Sequence, residues 1–178
     1  MRRVGLLLAL AAVAAGGALY VVHAQPAWYE RLRYPLRYEQ IVRVHARNDR
    51  LDPALLAAVI YTESKFDANA RSDAGAIGLM QLLPDTAKGI ALRTGGKRFV
   101  VSDLYDPEIN VRYGAWYLRH LLDRYDQDER TALAAYHAGQ ANVDSWRAEG
   151  VGIQFPQTRY YVDKVERLKK VYARAYGL

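Results

Sequence analysis

Hydrophobic and polar residues along most of this chain recur with the three-to-four-residue period of an α-helix. The pattern predicts helices over 38–45, 53–66 and 84–95, from 106 onward, into 132–139, around 143–146 and over 158–176. A loop is predicted at 67–82, and 97–105 is expected to hold a short extended piece. Because no sheet pattern, internal repeat or low-complexity linker is visible, we expect a mainly α fold in one domain.

Two Asp-Pro pairs predict where helices begin. Asp52 precedes Pro53 and Asp106 precedes Pro107, so an oxygen acceptor stands at each cap and a proline at each first helical position. The first of these helices is apolar at Leu56, Val59 and Ile60. The next position on that apolar stripe is position 63, close to the predicted helix end.

The amino-terminal segment 4–22 contains no charged residue. As a helix rising ~1.5 Å per residue it would reach roughly 28 Å, close to the hydrocarbon thickness of a bilayer. A signal-peptide core is shorter, about 7–15 residues, which favours an uncleaved membrane anchor. Small residues near Ala24 leave cleavage of a signal peptide open. We therefore predict a signal peptide or membrane anchor over 1–24.

Residues 25–37 carry aromatic side chains suited to a membrane interface together with several arginines: Trp28, Tyr29, Tyr34, Arg31, Arg33 and Arg37. Taken alone, the positive-inside rule would place the following domain in the cytoplasm. These arginines could instead belong to the folded domain, and we expect export. The predicted division is a juxtamembrane segment at 25–37 and one domain over 38–178.

The composition narrows the possible partners and cofactors. A net charge of +6 favours a polyanionic neighbour, such as nucleic acid, a lipid surface or an anionic wall polymer. The arginines are scattered along the chain, which argues against nucleic-acid binding. The chain has no cysteine, and its four histidines lack metal-ligand spacing, so we expect no metal and no cofactor.

Glu63 occupies the position of the apolar stripe where a hydrophobic residue is expected. Loss of solvation penalises the charged carboxylate and raises its pKa, so that Glu63 could act as a general acid near neutral pH. The plainer interpretation is that Glu63 tilts outward or pairs with Lys65 or Arg71. The spacing alone favours this plainer interpretation, since structural ion pairs also perturb carboxylates.

The loop after Glu63 changes that balance. Gly75 and Gly78 lack side chains that would keep a ligand from the backbone, and the amide of Gln81 can hydrogen-bond a polar ligand such as an acetamido sugar. The alternative is a tight turn that packs Leu79 and Met80 into the core. A carboxylate on an apolar stripe beside a glycine-lined loop is more specific evidence for a ligand-binding active site than either feature alone.

Four sequence blocks resemble the signature blocks of lytic transglycosylases: Glu63-Ser64, "SDAGAIGLMQLLPDTA" at 72–87, "AYHAG" at 135–139 and "QTRYYV" at 157–162. The similarity is to the catalytic domain of the soluble lytic transglycosylase type, related to goose-type lysozyme, and covers about 38–176. The segment "YPLRYEQI", which follows the apolar segment, is similar to the opening of short membrane-tethered members.

The resemblance implies a mainly α, lysozyme-like domain that cleaves the glycan strands of peptidoglycan. The bond is the β-1,4 link from N-acetylmuramic acid to N-acetylglucosamine. Glu63 is implied to be the single acid and base: it protonates the glycosidic oxygen and then takes a proton from the C6 hydroxyl of the same muramic acid. That hydroxyl attacks C1 and leaves a 1,6-anhydro sugar. Because this nucleophile is intramolecular, no second carboxylate is required.

The resemblance also implies a set of substrate-binding residues: Ser72, Gly78, Leu79, Met80, Gln81, Tyr136, His137 and Tyr161. Ser72 and Gln81 would hydrogen-bond the sugar, while Tyr136 and Tyr161 would line the cleft and orient Glu63. His137 stands where the family's third block has asparagine, which puts that contact and the pH response in doubt. Gln157 replaces the glutamate that begins the fourth block, which keeps hydrogen bonding but removes a charge.

Two other functions stay open on sequence. Asp67, Asp73 or Asp85 could supply a second carboxylate for hydrolysis by water, as in a goose-type muramidase. A non-catalytic peptidoglycan-binding scaffold could keep the same fold. The expected partners are peptidoglycan strands, the membrane through the amino-terminal helix, and other cell-wall proteins. The expected location is the cell envelope, either at the outer face of the cytoplasmic membrane or exported after signal cleavage.

Overall fold

Nine α-helices and one 3₁₀ helix form the regular structure in the computed structural model, which describes residues 2–96 and 98–178, and only the backbone at 2–9 and 18. The helices are α1 (Arg2–Ala24), α2 (Ala27–Arg33), α3 (Glu39–Asn48), α4 (Pro53–Ser64), α5 (Pro84–Thr94), α6 (Pro107–Arg124), α7 (Glu129–Ala138), α8 (Gln140–Ala148) and α9 (Pro156–Tyr176). The 3₁₀ helix spans Val101–Tyr105. Met1 of the predicted segment 1–24 lies outside the described residues.

The predicted helix starts are confirmed by the capping contacts. The Asp52 carboxylate accepts hydrogen bonds from the backbone N–H groups of Ala54 at 2.8 Å and Leu55 at 3.4 Å. Asp106 accepts one from Ile109 N at 3.0 Å. Each cap satisfies N–H groups that have no partner inside the helix. The helices that begin at Pro53 and Pro107 therefore start where the sequence predicted.

The extended piece predicted at 97–105 is wrong for the residues that can be described. Lys97 lies outside them, and Val101–Tyr105 forms the 3₁₀ helix instead. The Asp103 carboxylate accepts a hydrogen bond from Val100 N at 3.0 Å, which turns the chain at this point. The predicted loop is confirmed: within the described residues between α4 and α5, only isolated bridges pair Ile77 with Arg71 and with Leu82.

Helix α4 lies at the centre of the fold, packed along α9 and against α3. Its residues 54–60 are all at most 2% exposed, so the buried surface surrounds the helix rather than following one stripe. Leu79 and Met80 of the loop join this core, as do α6 and α7. A smaller apolar cluster, which includes Ile77, Ile90 and Leu104, lies between the loop, α5 and the 3₁₀ helix. The two clusters hold the loop between α4 and α5 in place.

Helix α2 packs against the carboxyl-terminal half of α9. Glu30 is 2% exposed and pairs with Arg174, whose Nε lies 3.1 Å from Glu30 Oε2. Arg31 Nε donates to Ala175 O at 2.6 Å. The domain boundary predicted at residue 38 stays a prediction, and the segment before it also contacts α9.

Helix α1 presents apolar side chains to its surroundings. Leu10, Val13 and Leu19 are each more than half exposed. Among the described residues no single helix meets the length and hydropathy expected of a membrane span. Leu10–Ala24 and Ala27–Arg33 meet them only together, and the two helices are bent by 78°. The anchor stays a prediction.

Candidate active site

Glu63 lies in the last turn of α4, where the buried helix meets the loop that follows it. Its side chain is half-buried, and the Tyr161 hydroxyl of α9 donates a hydrogen bond to Glu63 Oε1 at 2.7 Å. The helix ends directly afterwards because Lys65 adopts a left-handed conformation with φ 55°. Glu63 therefore stands at the edge of the core with its carboxylate oriented by one tyrosine.

Burial raises the pKa of Glu63 from 4.5 to about 7. The hydrogen bond from Tyr161 and the positive charge of Lys164 act in the opposite direction, because both favour the carboxylate. Neither Lys65 nor Arg71 forms an ion pair with Glu63 among the described residues. The structure thus favours a desolvated carboxyl group, poised between its two protonation states near neutral pH.

The three aspartates considered as second carboxylates are exposed side chains: Asp67, Asp73 and Asp85. Asp67 Oδ1 accepts a hydrogen bond from Asn69 N at 2.9 Å, as in an Asx turn. None of the three is among the groups that shift the pKa of Glu63. No group of three or more His, Asp or Glu side chains gathers as metal ligands would in the described part of the chain.

The loop after α4 turns on its own hydrogen bonds. Ser72 Oγ accepts from Ala76 N at 3.0 Å, and the Gln81 side-chain amide donates to the backbone oxygens of Ala70 at 3.1 Å and Gly78 at 3.0 Å. The donors of the Gln81 amide are therefore used inside the loop. Ser72 and Gln81 are both half-buried at the loop surface.

Leu79 and Met80 are fully buried, as the tight-turn interpretation predicts. Their backbone oxygens fasten the loop to two helices: Ser64 Oγ donates to Leu79 O at 2.8 Å, and the Tyr136 hydroxyl donates to Met80 O at 2.8 Å. Because both residues are 0% exposed, backbone included, they support the loop from inside and offer no surface to a ligand in this structure.

The prediction that Gly78 leaves room for a ligand beside the backbone is wrong. Its φ is +81°, and a Cβ there would overlap Asn110 Nδ2 and Leu104 O, so the space beside it is occupied by protein. Gly75 has φ +84° and open space where a Cβ would lie. Gly78 is thus required for packing, whereas Gly75 lies where a ligand has room to approach the backbone.

Asn110 is the residue that sequence reasoning missed. It is fully buried in α6, where its Oδ1 accepts from Met80 N at 2.8 Å. Its Nδ2 donates to Ile77 O at 2.9 Å and Leu104 O at 2.8 Å. The signal was available, because position 110 falls on the apolar face of α6 that Gly114 and Leu118 share, just as Glu63 falls on that of α4.

Tyr136 and Tyr161 lie close to Glu63, and His137 packs against Tyr161. The His137 and Tyr161 rings are 4.5 Å apart, and His137 Nδ1 forms a 3.0 Å hydrogen bond with Thr158 Oγ1. Although His137 is an exposed residue, partial burial of its imidazole against these neighbours lowers its pKa. Gln157, the other departure from the family blocks, is an exposed residue at the start of α9.

A cavity of about 250 Å³ lies between α5, α6 and α8, with Thr86, Arg93, Trp116, Tyr117 and Gln140 among its lining residues. Gln140 Nε2 donates to the Tyr117 hydroxyl at 3.3 Å, and the Tyr117 ring lies 5.5 Å from that of Tyr136. Tyr117 thus connects this cavity to Tyr136, whose hydroxyl bonds the loop that follows Glu63.

Comparisons with known proteins give one consistent result. Residues 40–151 match the family model described as the transglycosylase SLT domain. The chain is 40% identical over 114 residues to a transglycosylase of Enterobacteria phage PRD1, covering 64% of this chain and 39% of that protein. It is 34% identical over 150 residues to a putative soluble lytic murein transglycosylase of Haemophilus influenzae, covering 78% and 25%.

The fold agrees with solved structures as well. The structure of the 70-kDa soluble lytic transglycosylase from Escherichia coli matches with a TM-score of 0.79 at 26% identity, over 84% of this chain and 26% of that one. The lytic transglycosylase Slt of Pseudomonas aeruginosa matches with a TM-score of 0.77 at 29% identity, over 88% and 27%. The chain thus spans less than half the length of each of these four proteins.

Proposed function

The chain belongs to the transglycosylase SLT domain family, and on that premise we propose that it is a peptidoglycan lytic transglycosylase. It would cleave the β-1,4 bond from N-acetylmuramic acid to N-acetylglucosamine and leave a 1,6-anhydro sugar. The resemblance seen in the sequence and the predicted lysozyme-like, mainly α fold class are both confirmed by the family and structural matches. The site residues and the mechanism below are part of the proposal.

The observation that carries the proposal is the half-buried Glu63 with a pKa of about 7. At neutral pH about half of the molecules hold the proton that bond cleavage needs. Protonated Glu63 donates this proton to the glycosidic oxygen as the bond to C1 breaks. The leaving sugar departs with a neutral hydroxyl, and Glu63 is left as a carboxylate.

The second half of the reaction uses that carboxylate as a base. Glu63 takes the proton of the C6 hydroxyl on the same muramic acid, and O6 forms the new bond to C1. Glu63 regains its proton and no water is consumed. The Tyr161 hydrogen bond fits this role, because it holds the carboxyl group in one orientation in both protonation states.

Substrate contacts are proposed at the loop and at α7. Ser72 and Gln81, at the loop surface, would meet the acetamido sugar through the Ser72 hydroxyl and the Gln81 side-chain oxygen, while the buried Gly78, Leu79 and Met80 would shape this wall from behind. Tyr136 and His137 would form the opposite wall beside Tyr161. The cavity between α5, α6 and α8 would hold sugars further along the strand, since aromatic and hydrogen-bonding side chains line it.

The products of digestion test the proposal against its nearest rival. The full chain should release muropeptides ending in 1,6-anhydro-muramic acid, each lighter by one water than the hydrolysed product. Products with reducing ends would assign the chain to the goose-type muramidases. The anhydro product is the one we propose, since Asp67, Asp73 and Asp85 are exposed residues and none is among the groups that shift the pKa of Glu63.

A non-catalytic scaffold makes a different prediction for the same site. It would bind peptidoglycan equally well with glutamate or glutamine at position 63, and neither form would cleave. Glu149→Gln provides the matched control, because Glu149 is an exposed glutamate whose carboxylate bonds only Ser145 among the described residues. Cleavage by the wild type and Glu149→Gln but not by Glu63→Gln would exclude the scaffold.

The membrane attachment and location are proposed on the apolar amino terminus. The relatives include membrane-bound lytic murein transglycosylases, among them one of Pseudomonas fluorescens, and α1 exposes Leu10, Val13 and Leu19. We place the domain at the outer face of the cytoplasmic membrane, with cell-wall proteins as partners. Retention of the full chain in carbonate-washed membranes, with its amino terminus intact, supports the anchor; a chain shortened near Ala24 supports signal cleavage.

A further inference from the structure

A second cavity lies between α2 and α9, apart from the residues around Glu63. It measures about 270 Å³, and its lining residues include Tyr29, Arg33 and Tyr34 from the amino-terminal side, and Arg167 and Val171 from α9. None of these lining residues is among the groups that shift the pKa of Glu63. The proposed reaction makes no use of this cavity.

The cavity presents two positive charges, those of Arg33 and Arg167, that no carboxylate pairs among the described residues. Arg33 donates to the Tyr29 hydroxyl at 3.3 Å, and its guanidinium lies 5.6 Å from the centre of the Tyr34 ring. Both contacts orient Arg33 without neutralising it. Arg167 forms no ion pair or side-chain hydrogen bond among the described residues.

The acidic residue that lines the cavity is already paired. Glu30 is 2% exposed and bonds the guanidinium of Arg174 through both of its carboxylate oxygens. Two guanidinium groups around one cavity favour an anion, and their planar donors match the oxygens of a phosphate or a carboxylate. The positive charge of the cavity therefore predicts a negatively charged ligand.

The position of the cavity indicates that the anion belongs to a membrane. Gln25, at the end of α1, also lines the cavity, so the cavity opens where the apolar helix meets the domain. On α2, Trp28 is 60% and Leu32 is 78% exposed, one turn apart on the same face. An exposed tryptophan with flanking arginines suits the headgroup region of a bilayer.

We propose that this cavity binds the phosphate of an anionic phospholipid, with Arg33 and Arg167 as its ligands and Trp28 and Leu32 entering the adjacent interface. The proposal rests on the proposed membrane attachment of α1. Because Glu30 fastens α2 to α9, the bound lipid fixes the orientation of the whole domain, and with it Glu63, relative to the membrane. The cavity is thus an orienting site rather than a catalytic one.

Lipid titration of the full chain in a neutral detergent tests the proposal. Binding of phosphatidylglycerol and of phosphatidylcholine is followed by native mass spectrometry. Phosphatidylglycerol should bind at least about ten-fold more tightly, and Arg33→Gln with Arg167→Gln should lower its affinity about thirty-fold, or about five-fold per arginine. The matched control is Arg98→Gln with Arg112→Gln, which removes the same charge at two exposed arginines on another cavity.

Each alternative outcome overturns the proposal. Equal losses in the two double variants would show a general charge effect and no site. Displacement of the lipid by inorganic phosphate at equal concentration would show a free-anion site. If the double variant fails to fold, Arg167→Gln alone should still lose about five-fold, since Arg167 makes no described hydrogen bond. Peptidoglycan cleavage should stay unchanged in all these variants, which separates this result from the proposed function.

Discussion

Replacing Glu63 by glutamine should abolish cleavage and at the same time stabilise the protein above neutral pH. Glutamine has nearly the same shape as glutamate and keeps an oxygen that can accept the Tyr161 hydrogen bond of 2.7 Å. It cannot exchange a proton, so both the acid and the base step are lost. Loss of such a group costs about 10²–10⁴-fold per step.

The stability effect follows from the pKa of Glu63, which burial raises from 4.5 to about 7. Below about pH 4.5 the carboxyl group is neutral in both the folded and the unfolded chain, and its contribution to stability is fully present. Between pH 4.5 and 7 the unfolded chain ionises first, so the free energy of unfolding falls as pH rises. Over that interval the loss is roughly 3 kcal/mol at about 1.4 kcal/mol per pH unit, and above pH 7 it is constant.

Urea denaturation of the full chain in detergent, at pH 4, 5.5, 7 and 8.5, measures this effect. The wild type and Glu63→Gln should have similar free energies of unfolding at pH 4. At pH 8.5 the variant should be more stable by roughly 3 kcal/mol. Glu149→Gln, at an exposed position, serves as the control and should follow the wild type at every pH.

One result would refute the reasoning. If the wild type and Glu63→Gln lose stability in parallel from pH 4 to 8.5, the Glu63 carboxyl is as well solvated in the folded protein as in the unfolded one. Its pKa would then lie near 4.5, and almost no protonated acid would be present at neutral pH. The proposed mechanism would fail even if the variant were inactive.

The remaining predictions concern the groups around Glu63. Tyr161→Phe removes a hydrogen bond that favours the carboxylate, so the pKa of Glu63 should rise and the alkaline limb of the pH–rate profile should move to higher pH. Gly78→Ala should cost more than about 3 kcal/mol of stability, because it combines positive φ with overlap of Asn110; Gly75→Ala, with a similar φ but open space, should cost about 1–2 kcal/mol by the same denaturation assay. Asn110→Ala should cost about 3–5 kcal/mol, because three buried hydrogen bonds are lost, and activity should fall with the order of the loop.

Part of the candidate site could be foreseen because one residue breaks a local pattern. Glu63 interrupts an apolar stripe, and the glycine-rich loop follows it directly in the sequence. The pattern could not show which distant residues form hydrogen bonds with the residues of the site. The hydroxyl that orients Glu63 belongs to Tyr161, 98 residues later, and the amide that holds Met80 belongs to Asn110, 30 residues later.

The sequence by itself predicted most of the helices and some of their ends, although it did not indicate α2. Helical period, Asp-Pro caps and a closing glycine are properties of neighbouring residues, and the Asp52 and Asp106 caps form as expected. The spacing alone did not single out a catalytic residue; the glycine-rich loop and the resemblance of four sequence blocks to a known family made Glu63 the candidate acid. The local errors, such as the 3₁₀ helix at Val101–Tyr105, arise where a single side-chain contact decides the backbone.

Only the tertiary structure decided whether Glu63 is buried enough to hold a proton and which space is open to a ligand. Desolvation depends on every atom around a carboxyl group, and those atoms come from α4, α9 and the loop together. The same holds for Gly78, whose free side was filled by Asn110, and for the cavity between α2 and α9, whose two arginines lie 134 positions apart in the sequence. Burial and electrostatic pairing depend on residues from many parts of the folded chain, so a local sequence pattern cannot predict them.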